Sequence, residues 1–172
     1  MTDHSFQVAY LTPGAGGMIC GSCLNDNMLA SELQRLGCDC VLVPLYTPIR
    51  TDEPDVSIRK VFFGGVNVYL QQKSGLFRSL PRWADRALDS PRFLRAVTGR
   101  AISVEAKHLG GLTVSMIRGE EGRQRKEITR LVDWLARDLR PDLVHLSNLM
   151  IAGCVPRIKQ RLGAAVLVTL QG

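Results

Sequence analysis

The sequence predicts an α/β fold built on a parallel sheet, and three observations lead to it. Short apolar strands alternate with amphipathic helices along the chain. The glycine-rich loop Gly14-Ala15-Gly16-Gly17 follows the first strand. The length of 172 residues matches one ordinary domain. Strands that alternate with helices are typical of parallel sheets, in which each connecting helix covers one face. We therefore expect a Rossmann-like parallel sheet with helices on both faces, in a single domain spanning residues 1–172.

Four apolar runs predict the strands, at residues 7–11, 40–45, 142–146 and 165–170. Pro44 is expected either to end the second of them or to make it irregular there. A helix is predicted over 21–36, where Leu29, Leu33 and Leu36 fall at helical spacing and Gly37 terminates it. An apolar stripe predicts a second helix over 120–139, and a third one is expected to end at Gly163.

The middle of the chain is less regular. Residues 58–70 contain two strand-like runs around Gly64-Gly65. Between residues 73 and 111 we expect several short helices, with Gly110-Gly111 breaking the pattern.

Composition and charge narrow the class of protein. Apolar residues make up 45% and charged residues 22%, and no run approaches the roughly 20 apolar residues of a membrane span. The polar N-terminus shows no signal peptide, which favours a cytoplasmic protein.

The net charge is +6, with basic residues concentrated at 78–100 and 123–140. These are either solvated helix faces or surfaces for anions, namely a nucleotide, an anionic acceptor or a membrane surface. Nucleic acid is not expected, because no aromatic residues interleave with the basic ones.

The loop 14–17 precedes a helix N-terminus, where unpaired backbone N–H groups suit a phosphate or a sugar. It fails the dinucleotide fingerprint, because Ile19 stands where a third glycine is needed. It also lacks the Gly-Lys-Ser/Thr of ATP-binding loops. The sequence therefore predicts no cofactor, and a tight turn without a ligand remains the alternative.

Cys20-Gly21-Ser22-Cys23 is a CxxC motif at a helix start, where the helix dipole lowers a thiol pKa, as in redox proteins. We nevertheless expect a pair of free thiols that hold no metal, and redox chemistry remains the alternative. Zinc would need two further ligands, and Cys38 and Cys40 are expected at the opposite end of the sheet as small buried residues. No metal site is predicted.

His145 lies at the carboxyl end of a core strand and is followed by Ser147 and Asn148. Such a histidine acts as a base or hydrogen-bond donor, or is simply satisfied by local backbone. The carboxyl ends of parallel strands share one edge, where α/β proteins bind ligands. The loop after Leu11, the segment after His145 and Gln171-Gly172 are all expected there.

Four segments together carry a resemblance to a known family. The order is similar to that of the N-terminal domain of retaining glycosyltransferases of family four, whose GT-B architecture has two Rossmann-like domains. The similarity covers most of the chain outside residues 73–118. The segments are Leu11-Thr12-Pro13-Gly14-Ala15-Gly16-Gly17-Met18, Gly65-Val66-Asn67-Val68-Tyr69-Leu70, Pro141-Asp142-Leu143-Val144-His145 and Val166-Leu167-Val168-Thr169-Leu170-Gln171-Gly172.

The resemblance implies that this domain binds the acceptor, while a C-terminal domain holds most of the nucleotide-sugar donor. It implies that the glycine loop, with Gly14, Gly16 and Gly17, reaches the donor phosphates or the acceptor. His145 and Ser147 are then the catalytic candidates, and Asn148 and Gln171 the further binding candidates. Many members carry a second histidine where Ser147 stands and a histidine where Gln171 stands.

The expected function is therefore the acceptor-binding half of a sugar transferase, in a chain that stops before its donor-binding domain and is inactive alone. The expected partners are a nucleotide-sugar, a sugar, lipid or other acceptor, and that second domain. Two other classes stay open: a nucleotide- or anion-binding regulatory module without catalysis, and a CxxC redox protein.

Overall fold

The computed structural model describes residues 6–15, 18–63 and 106–170. Within them lies one sheet of four parallel strands in the order β2-β1-β3-β4. The strands are β1 (Gln7–Thr12), β2 (Asp39–Pro44), β3 (Leu143–Leu146) and β4 (Ala165–Val168). The described helices are α1 (Gly21–Arg35), α2 (Ala106–Arg118), α3 (Arg125–Trp134) and α4 (Val155–Leu162). The predicted α/β class and parallel sheet are confirmed.

The two faces of the sheet carry separate cores, because successive side chains of a strand point to opposite faces. On one face, Ala9 and Leu11 pack with the apolar stripes of α3 and α4. On the other face, Val8 and Tyr10 pack with Cys23 and Ala30 of α1. Helices therefore cover both faces, as the alternation of elements predicts.

The strand boundaries differ slightly from the predicted ones. β2 runs from Asp39 to Pro44 rather than over 40–45, and β4 ends at Val168 rather than at 170. Pro44 ends its strand as expected, and Gly37 and Gly163 both have positive φ just beyond helix ends. Of the region 58–70, only 58–63 is described, and it contains no strand.

Gly110 and Gly111 do not break a helix: they lie inside α2. A glycine in a helix costs about 1 kcal/mol relative to alanine, which tertiary packing can offset. The expected short helices between residues 73 and 105 lie outside the described residues.

The predicted helix over 120–139 is divided into three parts. A short 3-10 turn, Gly119–Glu121, precedes α3, and a π-helical turn, Leu135–Leu139, follows it. The chain turns tightly at Gly122, where a Cβ atom would lie 2.1 Å from the Ser115 carbonyl oxygen. Close backbone approach, which periodicity does not reveal, therefore separates the 3-10 turn from α3.

The predicted third helix is also divided. A 3-10 segment, Leu149–Cys154, leads into α4. This segment packs against the end of α2. Gly153 contacts Gly119 there so closely that a Cβ atom on Gly119 would lie 1.9 Å from the Gly153 carbonyl oxygen. This contact fixes the segment that follows β3.

Candidate functional site at the carboxyl edge of the sheet

The loop after β1 and the segment after β3 meet at one edge of the sheet, as the sequence predicts. The backbone N–H of Ser147 donates to the Leu11 carbonyl oxygen at 2.9 Å. The N–H of Thr169, just after β4, donates to the Leu146 carbonyl oxygen at 2.9 Å. The ends of three adjacent strands are thus joined by backbone hydrogen bonds, and the candidate site lies across them.

Gly14 opens the loop in a conformation that only glycine adopts without strain. Its φ is +79°, and a Cβ atom would lie 2.2 Å from the Thr47 carbonyl oxygen. The N–H of Tyr46 donates to the Pro13 carbonyl oxygen at 3.0 Å in the same corner. Gly14 therefore lets the loop pass directly over the chain that follows β2.

His145 is held on two sides. Its ring stacks on Tyr10 of the neighbouring strand, with centroids 4.3 Å apart and 2° between the ring planes. Its Nε2 shares a hydrogen bond of 2.7 Å with the Thr169 hydroxyl. Burial lowers the pKa of His145 below its ordinary value, and the charge of Asp26 acts in the opposite direction. The imidazole is therefore neutral at pH 7, the form that can both accept and donate a hydrogen bond.

A buried carboxyl group lies behind the stack. Asp26, in α1, is fully buried and accepts hydrogen bonds from the Tyr10 hydroxyl at 2.7 Å and the Thr12 hydroxyl at 2.6 Å. Desolvation, followed by the hydrogen bond to Asp26, raises the pKa of Tyr10, so its proton stays on the hydroxyl. The carboxyl group thereby fixes the phenol ring on which His145 rests.

Ser147 and Asn148 have different environments. Ser147 is fully buried, and its hydroxyl has no hydrogen-bond partner within residues 6–15, 18–63 and 106–170. The side chain of Asn148 accepts a hydrogen bond from the Met150 N–H at 3.0 Å and caps the 3-10 segment. Asn148 thus has a local structural role, while the Ser147 hydroxyl faces the interior of the edge.

Three candidate residues cannot be placed. Gly16, Gly17 and Gln171 lie outside the described residues, so their proposed contacts stay predictions. The structure places His145 at the carboxyl end of β3 and Ser147 just after it, where the Ser147 N–H bonds to Leu11 of β1, three residues before Gly14.

Sequence reasoning missed Tyr10, Asp26 and Thr169. A signal for Asp26 was present: Cys23, Asp26, Asn27 and Ala30 recur at helical spacing and form the buried stripe of α1. Of the leucines used to predict the helix, only Leu33 packs against this core, while Leu29 is 39% exposed and Leu36 is 72% exposed. An acidic residue on the inner face of a helix indicates a polar network, because buried charges are paired or hydrogen-bonded.

A separate groove of about 350 Å³ lies at the end of α2, lined by Gly110, Val114, Arg118 and Arg123 among others. It shares no residue with the cluster around His145. Within the described residues, no group of three or more potential ligands could hold a metal ion.

The described helices include none with the length and apolar character needed to cross a membrane. A comparison of the chain with protein-family models, curated proteins and solved structures finds no match.

Proposed function

We propose that this chain is the acceptor-side domain of a retaining glycosyltransferase with GT-B architecture. In this proposal a nucleotide-sugar donor sits between this domain and a second, donor-binding domain. The observation that carries the proposal is the meeting of His145, Ser147 and the start of the glycine loop at the carboxyl edge of a parallel sheet. That edge is where open α/β sheets bind ligands.

The reaction breaks the bond between the anomeric carbon and the phosphate oxygen, and forms a bond from that carbon to an acceptor oxygen. The nucleoside diphosphate leaves with its negative charge, and the proton released by the acceptor hydroxyl passes to the departing phosphate oxygen or to water. The N–H groups of the loop before α1 are suited to that charge. Neutral His145 is suited to a hydroxyl group, because an uncharged imidazole orients a sugar or acceptor without attracting anions.

The cluster behind His145 supports a positioning role for Tyr10 and Asp26. A side chain held by a stack and by a hydrogen bond has little freedom to rotate. Orientation of this kind contributes to group transfer because the reactants lose less entropy at the moment of reaction.

The test compares two preparations. Calorimetric titration of the 172-residue chain with UDP- and GDP-sugars, nucleoside diphosphate and inorganic phosphate measures its binding. Transfer of radiolabelled sugar is then assayed for this chain and for the protein expressed from the complete reading frame. We expect weak nucleotide-sugar binding and no transfer by the chain alone, and transfer with retained configuration by the complete protein.

Variants at the edge sharpen the test. In the complete protein, His145→Gln should lower turnover about two- to tenfold, the equivalent of one lost hydrogen bond between neutral groups, whereas Ser147→Ala removes a buried hydroxyl that has no partner among the described residues and should change turnover less. Gln160→Ala, an exposed change on α4, is the matched control and should have no effect.

Two results would contradict the proposal. Turnover by the 172-residue chain alone would show that a second domain is not required. Nucleotide or phosphate binding that is indifferent to the sugar, with no transfer by the complete protein, would favour the regulatory binding module instead.

A further inference from the structure

Two thiols meet at the start of α1, beside the glycine loop. Cys20 is the residue before the helix, and Cys23 lies one turn later. Positions three apart on a helix share a face, and the Leu24 N–H donates to the Cys20 carbonyl oxygen at 3.0 Å, which closes that turn. Both cysteines are free; Cys20 is partly exposed, and Cys23 is buried.

We propose that Cys20 and Cys23 form a reversible thiol–disulfide pair, in which Cys20 attacks a low-molecular-weight disulfide such as glutathione disulfide and Cys23 resolves the product. This activity does not depend on the proposed sugar transfer, and the pair lies on a different element from His145.

The surroundings of the two sulfurs differ in the way such a pair requires. The Cys20 thiol makes no capping hydrogen bond. The N–H of Cys23 favours the thiolate and is the largest influence on the pKa of Cys20, which is lowered; burial opposes it, and the N–H of Ser22 adds a smaller lowering effect. Burial, followed by the negative charge of Cys20, raises the pKa of Cys23 to about 12. The partly exposed sulfur of Cys20 is therefore the nucleophile.

The order of steps follows from these charges. The Cys20 thiolate attacks one sulfur of the oxidant, the oxidant's S–S bond breaks, and one thiolate leaves and takes a proton from water. Cys20 is then neutral, so its charge no longer raises the pKa of Cys23. Cys23 loses its proton to solvent and attacks the Cys20 sulfur, which expels the second thiolate. Two protein thiols are oxidised and one small disulfide is reduced to two thiols.

The experiment uses the 172-residue chain with glutathione disulfide as the oxidant. Peptide mapping of the unmutated chain should show Cys20 joined to Cys23, with a mass lower by two hydrogen atoms. Iodoacetamide at about pH 7 should label Cys20 at least about tenfold faster than Cys38, which is also partly exposed.

Variants separate the two roles. Cys23→Ala should retain a glutathione adduct on Cys20, Cys20→Ser should form neither adduct nor disulfide at this pair, and Cys38→Ser should behave like the parent. A melting curve for each variant confirms that it is folded. The proposal is overturned if the unmutated chain keeps the glutathione adduct without linking to Cys23, or if Cys38 is labelled as fast as Cys20.

Discussion

Tyr10 and His145 face each other across adjacent parallel strands, paired in register and stacked with their rings 4.3 Å apart. The Tyr10 hydroxyl is anchored to Asp26, and the imidazole is anchored to Thr169. A continuous line of contacts therefore runs from α1, through two strands, to the residue beyond the edge strand. The orientation of His145 depends on the whole line rather than on its own strand.

We expect acid to destabilise the fold through His145. Its pKa is lowered in the folded chain, so the unfolded chain binds the proton more readily. The stabilising contribution is complete above about pH 6.5 and declines as the pH falls through and below that value. Melting temperatures measured from about pH 7.5 to about pH 5.5 should fall more steeply for the parent than for His145→Gln.

His4→Gln is the matched control, because it makes the same substitution at another histidine of the chain. It should retain the parent's pH dependence. Equal slopes for the parent and His145→Gln would show that burial of His145 does not control this dependence.

Removing the carboxyl group of Asp26 should be among the most damaging single changes. Asp26→Ala leaves the Tyr10 and Thr12 hydroxyls without their acceptor in the interior. Each unsatisfied buried group costs about 1–3 kcal/mol, so the two together should lower the free energy of unfolding by about 2–6 kcal/mol, as measured by urea denaturation.

Glu32→Ala on the same helix is the control. Its ion pair with Arg35 spans 2.7 Å on the exposed face, and such pairs contribute less than about 1 kcal/mol. If Asp26→Ala and Glu32→Ala lower the free energy of unfolding by similar amounts, the buried hydrogen bonds of Asp26 stabilise the fold no more than an exposed ion pair does.

Three glycines, of which only Gly14 belongs to the glycine loop, form a graded test of backbone strain and close approach. Gly21→Ala should be tolerated, since its Cβ atom meets nothing within 4 Å. Gly37→Ala meets open space but has a φ of +83°, which costs about 1 kcal/mol. Gly14→Ala combines a φ of +79° with a clash at 2.2 Å, and should cost several times more. Thermal melts of the three variants should follow this order, and a Gly14→Ala variant as stable as Gly37→Ala would contradict it.

The glycine loop itself yields a prediction from sequence alone. In the complete protein, Gly17→Val should lower turnover about ten- to a hundredfold by holding a phosphate or sugar away from the N–H groups of the loop. Melting temperature and turnover are measured together, because valine resists a positive φ. An unchanged melting temperature with full activity would show that the loop is only a turn.

The sequence was sufficient for the fold class and for the strand locations because apolar runs and helix periodicity are local signals. The site was only partly predictable. His145 and Ser147 were found because they follow a strand, whereas Asp26 and Thr169 contribute through contacts 14 and 24 residues away along the chain. The π-helical turn before Arg140 was missed for a related reason: the N–H of Arg140 bonds to the Leu135 carbonyl oxygen, a pairing that helical periodicity does not reveal.

The buried face of α1 determines how this helix is oriented against the sheet. A helix rotated about its axis would instead bury Met28 and Leu29, which are the exposed large apolar side chains of α1. A helix rotated in that way would leave the hydroxyls of Tyr10 and Thr12 without an acceptor. The carboxyl group of Asp26 therefore discriminates against an orientation in which Met28 and Leu29 would be buried instead. The hydrogen bonds to Asp26, rather than the burial of apolar surface, determine which face of α1 packs against the sheet.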